Sequence, residues 1–265
     1  MPEFDSLLGE ARDRASRGDL NVHDHVCGIY DSHEDQFQPA CTFIKAGLER
    51  NEQCLYIAEH LKPAEFKQML EQDGVNADAM IADGYLMILS GKEMRLKLGG
   101  FTPESMLTFL AQAERKALQA GFAAFRLAAD MMWLRKDNIA AADLFLYESE
   151  LNLLFAERRL IGLCQYARDD FKAELLVAAA ETHPVLVYNK IACDNFYYVP
   201  PAEYLKDGAS EMKLTRFLYN IVTRERLMHY LLSRELPLGE ENAQRHPAIP
   251  APAPFCKVAL LALDF

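Results

Sequence analysis

Two residue types that bind metal ions and react with electrophiles stand close together near the start of the chain. His25 and Cys27 lie in the run HVCGIY, whose apolar character is typical of a β-strand. Residues two apart on a strand point to the same face, so the imidazole and the thiol can contact one ligand, namely a metal ion, a haem iron or an electrophilic carbon compound. His23 has the same parity and joins them if the strand begins that early. The competing interpretation is a core thiol beside a histidine that hydrogen-bonds the next strand.

Further candidates for ligand contact follow the ends of predicted strands, because α/β sheets bind ligands at the carboxyl ends of their strands. Tyr30 closes the first strand and Glu59 the second, and each can hydrogen-bond a ligand. Alternatively, Tyr30 packs on the following helix and Glu59 caps the next helix. Met131 and Trp133 follow the fourth strand. Their apolar side chains suit the wall of a pocket for a small ligand, and core packing explains them equally well.

Two later pairs complete the candidate ligand-binding residues. Cys164 and Tyr166 alternate along the fifth predicted strand and so share a face, near the expected pocket or in the core. Asn195 and Tyr198 lie in the block CDNFYYVPP, where they contact a ligand or latch the terminal strand. The sequence has no GxSxG elbow, HExxH helix or zinc-type spacing of cysteines and histidines, so no catalytic residue is predicted.

The elements that position these residues alternate between strand and helix about five times. The predicted strands are 25–32, 53–60, 84–91, 122–133 and 159–166, with a terminal strand or hairpin over 184–201. The predicted helices are 37–51, 63–74, 102–121, 138–158 and 172–183. This order is typical of a three-layer α/β fold, with a mostly parallel sheet between helices on both faces.

The turn after the first strand lacks the features of a phosphate-binding loop. Such loops need glycines, whose backbone N–H groups approach the phosphates, and a lysine that reaches the outer phosphates. Residues 31–35 read DSHED, with no glycine, no lysine and three carboxylates. These charges repel a triphosphate, so the sequence predicts neither ATP binding nor catalysis.

Several separated blocks, taken together and in order, resemble the MEDS sensory domain family (methanogen/methylotroph, DcmR sensory) over residues 22–205. The blocks are HVCGIY (25–30), AGLERNEQCLYIAEH (46–60), MMW (131–133), LCQY (163–166), THP (182–184) and CDNFYYVPPAEYL (193–205). The resemblance implies a RecA/KaiC-like fold without the Walker A loop. It also implies a sensor of small hydrocarbon derivatives in prokaryotic signal transduction or transcriptional regulation, with a metal or haem at His25 and Cys27 as a further hypothesis.

Composition restricts the classes of partner. The 265 residues are 51% hydrophobic and carry a formal net charge of −11, which argues against direct binding of nucleic acid. Six scattered cysteines without a CxxC pair favour free thiols in a reducing compartment. The polar N-terminus lacks a signal-type apolar run, and no stretch is long enough for a membrane helix. We therefore expect a cytoplasmic protein without membrane contact.

Three segments are predicted: a lead-in helix over 1–21, the sensory domain over 22–205, and a C-terminal helix with a proline-rich tail over 206–265. The amphipathic helix at 211–235 is a candidate surface for a signalling partner or a second copy of the chain. One alternative function is an adaptor that docks a partner through this helix. The other is a residual RecA-like nucleotide-binding enzyme, which the missing phosphate loop argues against.

Overall fold

The computed structural model describes residues 20–135, 141–188, 191–195 and 197–204, together with positions 214 and 218. The chain divides into two compact units, residues 1–217 and 218–265, and the description below concerns the first. The predicted lead-in helix and the proline-rich tail lie outside the described residues. Of the predicted 211–235 helix only Leu214 and Leu218 are described, and both are helical and exposed.

A seven-stranded sheet forms the centre of the first unit. Its strands are β1 (His25–Tyr30), β2 (Gln53–Ala58), β3 (Leu86–Ser90), β4 (Phe125–Asp130), β5 (Leu160–Ala167), β6 (Val185–Tyr188) and β7 (Ile191–Asp194). Their order is β3-β2-β4-β5-β1-β6-β7. Neighbouring strands run parallel except β7, which pairs antiparallel with β6 in the predicted terminal hairpin. The mostly parallel sheet predicted from the alternation is confirmed.

Helices connect the strands. They are α1 (Phe37–Glu49), α2 (Pro63–Gln72), α3 (Ala77–Ala82), α4 (Gly91–Leu98), α5 (Pro103–Gln119), α6 (Met132–Arg135), α7 (Ala141–Glu157), α8 (Ala173–Thr182) and α9 (Pro201–Tyr204), and a 3₁₀ turn at Glu34–Gln36 precedes α1. The sequence analysis did not predict α3, α4 or the short helices α6 and α9, and it had placed residues 132–133 at the exit of a strand. A capping box begins α4, since the Ser90 hydroxyl accepts from the Glu93 N–H and the Glu93 carboxylate accepts from the Ser90 N–H.

Two apolar layers cover the two faces of the sheet, which makes the fold three-layered. Alternating residues of each strand belong to different layers, so that Cys27 lies in one and Val26 in the other. The Cys27 layer includes residues of α5, α7 and α8, whereas the Val26 layer includes residues of α1, α2 and α3. The candidate site described below lies in the Cys27 layer.

A buried ion pair lies in the other layer. The guanidinium of Arg126 on β4 donates from Nε to Oε2 of Glu52 at 2.5 Å, and its carbon lies 4.4 Å from the centre of the Phe43 ring. Both charged side chains are almost fully buried. The pair fixes the start of β2 against β4.

Candidate functional site

Four polar side chains from four separate segments meet between the sheet and α7, and we call them the His–Glu–Cys cluster. His25 comes from β1, Glu148 from α7, Cys164 from β5 and His183 from the residue after α8. All four are buried, and one ligand atom from each lies within 4.8 Å of all the others. A buried group of two imidazoles, a carboxylate and a thiol in an apolar layer is costly unless its members satisfy one another.

Strand register and helix spacing bring the cluster together. His25 pairs with Gly162 across β1 and β5, so Cys164, two residues further on, faces the same layer. Gly162 allows α7 to approach closely, because a Cβ placed there would lie 2.6 Å from the Phe155 ring. Glu148 precedes Phe155 by about two helical turns and therefore points to the same side of α7.

A side-chain amide orients the imidazole of His25, and a backbone carbonyl orients that of His183. The Asn152 amide donates from Nδ2 to the carbonyls of Glu148, Ser149 and Thr182, so its Oδ1 must accept the bond from His25 Nδ1 at 3.0 Å. His183 donates from Nδ1 to the Ala179 carbonyl at 2.7 Å. Each ring thereby turns its Nε2 toward the middle of the cluster.

Glu148 is the negative centre of the cluster. Its Oε1 accepts from the Tyr166 hydroxyl at 2.9 Å, while Oε2 lies 3.4 Å from His25 Nε2 and 3.6 Å from His183 Nε2. Burial works to raise the pKa of Glu148, but the hydrogen bond of His25 and the charges of the two histidines outweigh it and lower the pKa. Burial, with the charge of the neighbouring His25, lowers the pKa of His183 to about 3.

An internal cavity adjoins the cluster. Its volume is about 20 Å³, counted as the space open to the centre of a water-sized sphere. Four of the predicted ligand contacts line it, namely His25, Met131, Trp133 and Cys164. The rest of its wall is mainly apolar and comes from the sheet and from α5 and α7, including Met106, Leu110, Leu127, Ala129, Tyr147, Leu151 and Phe155. The cavity is thus an apolar space with an imidazole and a thiol at one side.

Comparison with known proteins assigns this part of the chain. The family model of the methanogen/methylotroph, DcmR sensory (MEDS) domain matches residues 24–184, a range that contains the cluster and the cavity wall. The chain belongs to the MEDS family. A curated relative, the transcriptional repressor DcmR of Methylorubrum extorquens, is 25% identical over 180 residues, which cover 68% of this chain and 65% of the repressor. The resemblance predicted from the sequence blocks is confirmed, and a sensory, regulatory role is supported.

The carboxyl ends of the strands in this MEDS domain hold a second polar group, on the opposite face of the sheet from the cavity. Asp130 accepts from Gln36 Nε2 at 3.1 Å and contacts His60 Nδ1 at 2.6 Å. Gln165 donates to the Tyr30 hydroxyl at 3.3 Å and to the carbonyl of Gln36 at 2.7 Å. Tyr30 therefore belongs to this strand-end network and does not line the cavity.

The remaining predicted residues of the MEDS domain lie in several places. Tyr166 holds the cluster carboxylate and Cys27 is buried in the same apolar layer, but neither lines the cavity. Glu59 lies 3.9 Å from the Arg95 guanidinium. Asn195 donates from Nδ2 to two carbonyls at the end of α8, an arrangement that fits the latch interpretation. Tyr198 lies beyond β7, where its backbone N–H donates to the Asn195 carbonyl.

The structure adds His183, which the sequence analysis named only within the block THP, and two helical residues that it did not select, Glu148 and Asn152. Both lie among the apolar positions of the predicted 138–158 helix, four residues apart and on its buried side. A polar pair at that spacing inside an apolar stripe is the sequence feature that could have identified these two residues. The structure also places Cys164, rather than Cys27, in the group that could hold a metal with His25. Burial and the charge of Glu148 raise the pKa of the Cys27 thiol, which is therefore protonated near pH 7.

Among the described residues, no helix combines the length and the apolar character that crossing a membrane requires.

Proposed function

We propose that this MEDS domain is a non-catalytic sensor that binds a small hydrocarbon derivative in the cavity between the sheet and helices α5 and α7. The observation that carries the proposal is the cavity itself, lined by four residues that the sequence had marked for ligand contact. Membership of a sensory domain family supports the same class of function. Similarity to a transcriptional repressor supports a regulatory output, through a partner protein or a second copy of this chain.

The chemistry of the wall indicates the class of guest. Methionine, tryptophan and aliphatic side chains offer polarisable apolar contacts, and the side chains of His25 and Cys164 make one side of the cavity polar. A volume of about 20 Å³ holds about one water molecule, so a guest of a few heavy atoms requires some movement of the flexible Met106 and Met131 side chains. A short carbon chain with one polarisable or hydrogen-bonding atom fits these demands.

Helix α7 is the element best placed to transmit binding. It supplies Tyr147 and Leu151 to the cavity wall and Glu148 to the cluster. Its other side is partly solvent-exposed, with Leu153 54% exposed. A guest that binds one position of α7 more tightly than another shifts the population toward it. The exposed side of α7 then differs between the two states and can be read by a partner.

The single tryptophan makes the test specific to the site. Trp133 is the only tryptophan of the chain, is 1% exposed and lines the cavity. We expect short-chain alkyl bromides to quench its emission saturably, and short-chain alcohols, thiols and nitriles to raise the melting temperature or compete with that quenching. The Ala129→Val variant fills the cavity with added methyl groups and should abolish both effects while keeping the circular dichroism spectrum.

Two results would reject the proposal. One is a full panel that neither quenches Trp133 nor shifts the melting temperature of the wild-type chain. The other is unchanged binding in Ala129→Val, because the guest would then lie outside the cavity.

A further inference from the structure

We propose that His25, Glu148, Cys164 and His183 bind one zinc ion in a closed tetrahedral site, independently of any guest in the cavity. Their donor atoms are two imidazole nitrogens, one carboxylate oxygen and one sulfur. Zinc binds all three donor types and is four-coordinate in sites formed wholly by protein ligands. Mg²⁺ and Ca²⁺ prefer oxygen ligands and do not favour this mixed donor set.

Four of the six donor–donor distances are close to the edges of a tetrahedron around zinc, and the other two, from His183 to His25 and to Cys164, are within 4.8 Å. Zinc–ligand bonds of about 2.0–2.1 Å to nitrogen or oxygen and about 2.3 Å to sulfur place N and O donors about 3.3–3.4 Å apart, and S donors about 3.5–3.6 Å from them. Glu148 Oε2 lies 3.4 Å from His25 Nε2 and 3.6 Å from His183 Nε2. Cys164 Sγ lies 3.5 Å from His25 Nε2 and 3.8 Å from Glu148 Oε2. These four edges require shifts of only a few tenths of an ångström.

The electrostatics of the cluster call for a cation between the donors. His183 donates its Nδ1 hydrogen to the Ala179 carbonyl, so its other ring nitrogen, Nε2, is directed at the Glu148 carboxylate, 3.6 Å away. Among the described residues Nε2 has no hydrogen-bond partner, although the side chain is fully buried. A metal ion between Nε2 and the carboxylate satisfies both buried polar atoms.

Charge balance favours a divalent ion. The Glu148 carboxylate and a Cys164 thiolate together carry the charge that neutralises one Zn²⁺, and the imidazoles are neutral ligands. The site is then uncharged as a whole, which removes the cost of a buried net charge. Metal binding displaces the thiol proton of Cys164 and the Nε2 proton that His25 directs at Glu148, and both protons pass to solvent.

The groups around the cluster hold the donors as the outer shell of a metal site does. In such sites the second nitrogen of each histidine donates to a carbonyl or similar acceptor, and the ligating carboxylate is itself hydrogen-bonded. Here Asn152 accepts from His25, the Ala179 carbonyl accepts from His183, and Tyr166 holds the other oxygen of Glu148. The two imidazoles and the carboxylate are thereby fixed in direction before a metal arrives.

The bound zinc would join β1, β5, α7 and the end of α8. All four ligands come from the protein, which is the pattern of a structural zinc site. The adjoining cavity of about 20 Å³ has no space for a porphyrin, so the cluster favours a bare ion over haem. The inferred role is to couple α7 to His25, Cys164 and His183, so that a displacement of the helix is passed to β1, β5 and the end of α8.

The test uses the full chain, produced in minimal medium supplemented with zinc or with cobalt so that it folds around the ion. Elemental analysis should find about one equivalent of metal per chain. The cobalt protein should show intense tetrahedral d–d bands and a thiolate-to-cobalt charge-transfer band. Cys164→Ser should lose that band and most of the metal, whereas Cys27→Ser should keep both. Cys27 is the matched control, because it is an equally buried thiol directly opposite Cys164 in the β1–β5 register.

Three results would overturn the zinc site: wild-type chain without stoichiometric metal, a cobalt spectrum without a thiolate band, or equal loss in the two cysteine variants. If Cys164→Ser does not fold, ¹¹³Cd NMR of the cadmium-loaded wild type decides, because its chemical shift reports the number of sulfur donors. One thiolate with nitrogen and oxygen donors supports the site, and none or several thiolates contradict it. No guest is present in these measurements, so their outcome is separate from the Trp133 titration.

Discussion

Replacing Leu151 by alanine should enlarge the cavity at a cost that the structure allows us to estimate. Leu151 lies on α7, is 3% exposed and lines the cavity. Removing its three outer carbon atoms forfeits roughly 2–2.5 kcal/mol of transfer free energy. The cavity wall already encloses an empty space and is held by α7, so neighbouring side chains should not fill the space left by Leu151. This residual cavity should bring the total loss of unfolding free energy to about 3–4 kcal/mol.

The same helix supplies the control for this prediction. Leu153 is 54% exposed, so Leu153→Ala should change the unfolding free energy by less than about 1 kcal/mol. Urea unfolding of both variants, followed by circular dichroism, measures the two values. Short-chain guests should recover part of the loss in Leu151→Ala, because they bind the enlarged cavity in the folded state alone. Equal costs in the two variants, or no recovery with any guest, would refute the placement of the cavity.

Two further predictions concern the other face of the sheet. Glu52→Gln should lower the unfolding free energy by about 3 kcal/mol, because it leaves the buried Arg126 charge uncompensated, and adding Arg126→Met should recover part of that loss in urea unfolding. The hydrogen bond with Asp130, aided by the charge of Asp170, raises the pKa of His60 above 6.5 in the folded chain. This contribution to stability is complete below the unfolded pKa and is lost as pH rises through the folded pKa. His60→Gln should therefore flatten the decline in stability as pH rises above the unfolded value of 6.5, and an unchanged pH profile would contradict the assignment.

Much of the fold could be predicted from local patterns of apolar and polar residues in the sequence. The strand predicted at 25–32 is β1 at His25–Tyr30, and the predicted terminal hairpin is β6 with β7. Errors arose where a short polar stretch forms a helix through its caps. Ser90, taken as the end of a strand, also begins α4, and the capping box that it forms with Glu93 has only the minimal S-x-x-E signature.

The candidate site was predicted only in part, because parity within a strand does not reveal which strands are neighbours. Alternation correctly placed His25 and Cys27 on one face. It could not show that β5 lies beside β1, which brings Cys164 to His25 across more than half the chain. Glu148 comes from a helix that packs over both strands, and the rotation of that helix depends on tertiary contacts that spacing alone does not fix.

The position of the cavity follows from the same packing that forms the cluster. At the strand ends, Asp130 and Gln165 are tied into a hydrogen-bonded network on the other face of the sheet. In the apolar layer, Gly162 lets α7 approach the sheet, and this close approach sets Glu148 against His25 and encloses the cavity. Cavity wall and cluster therefore share one rigid helix, so a guest that moves α7 must also move the carboxylate that holds the two imidazoles.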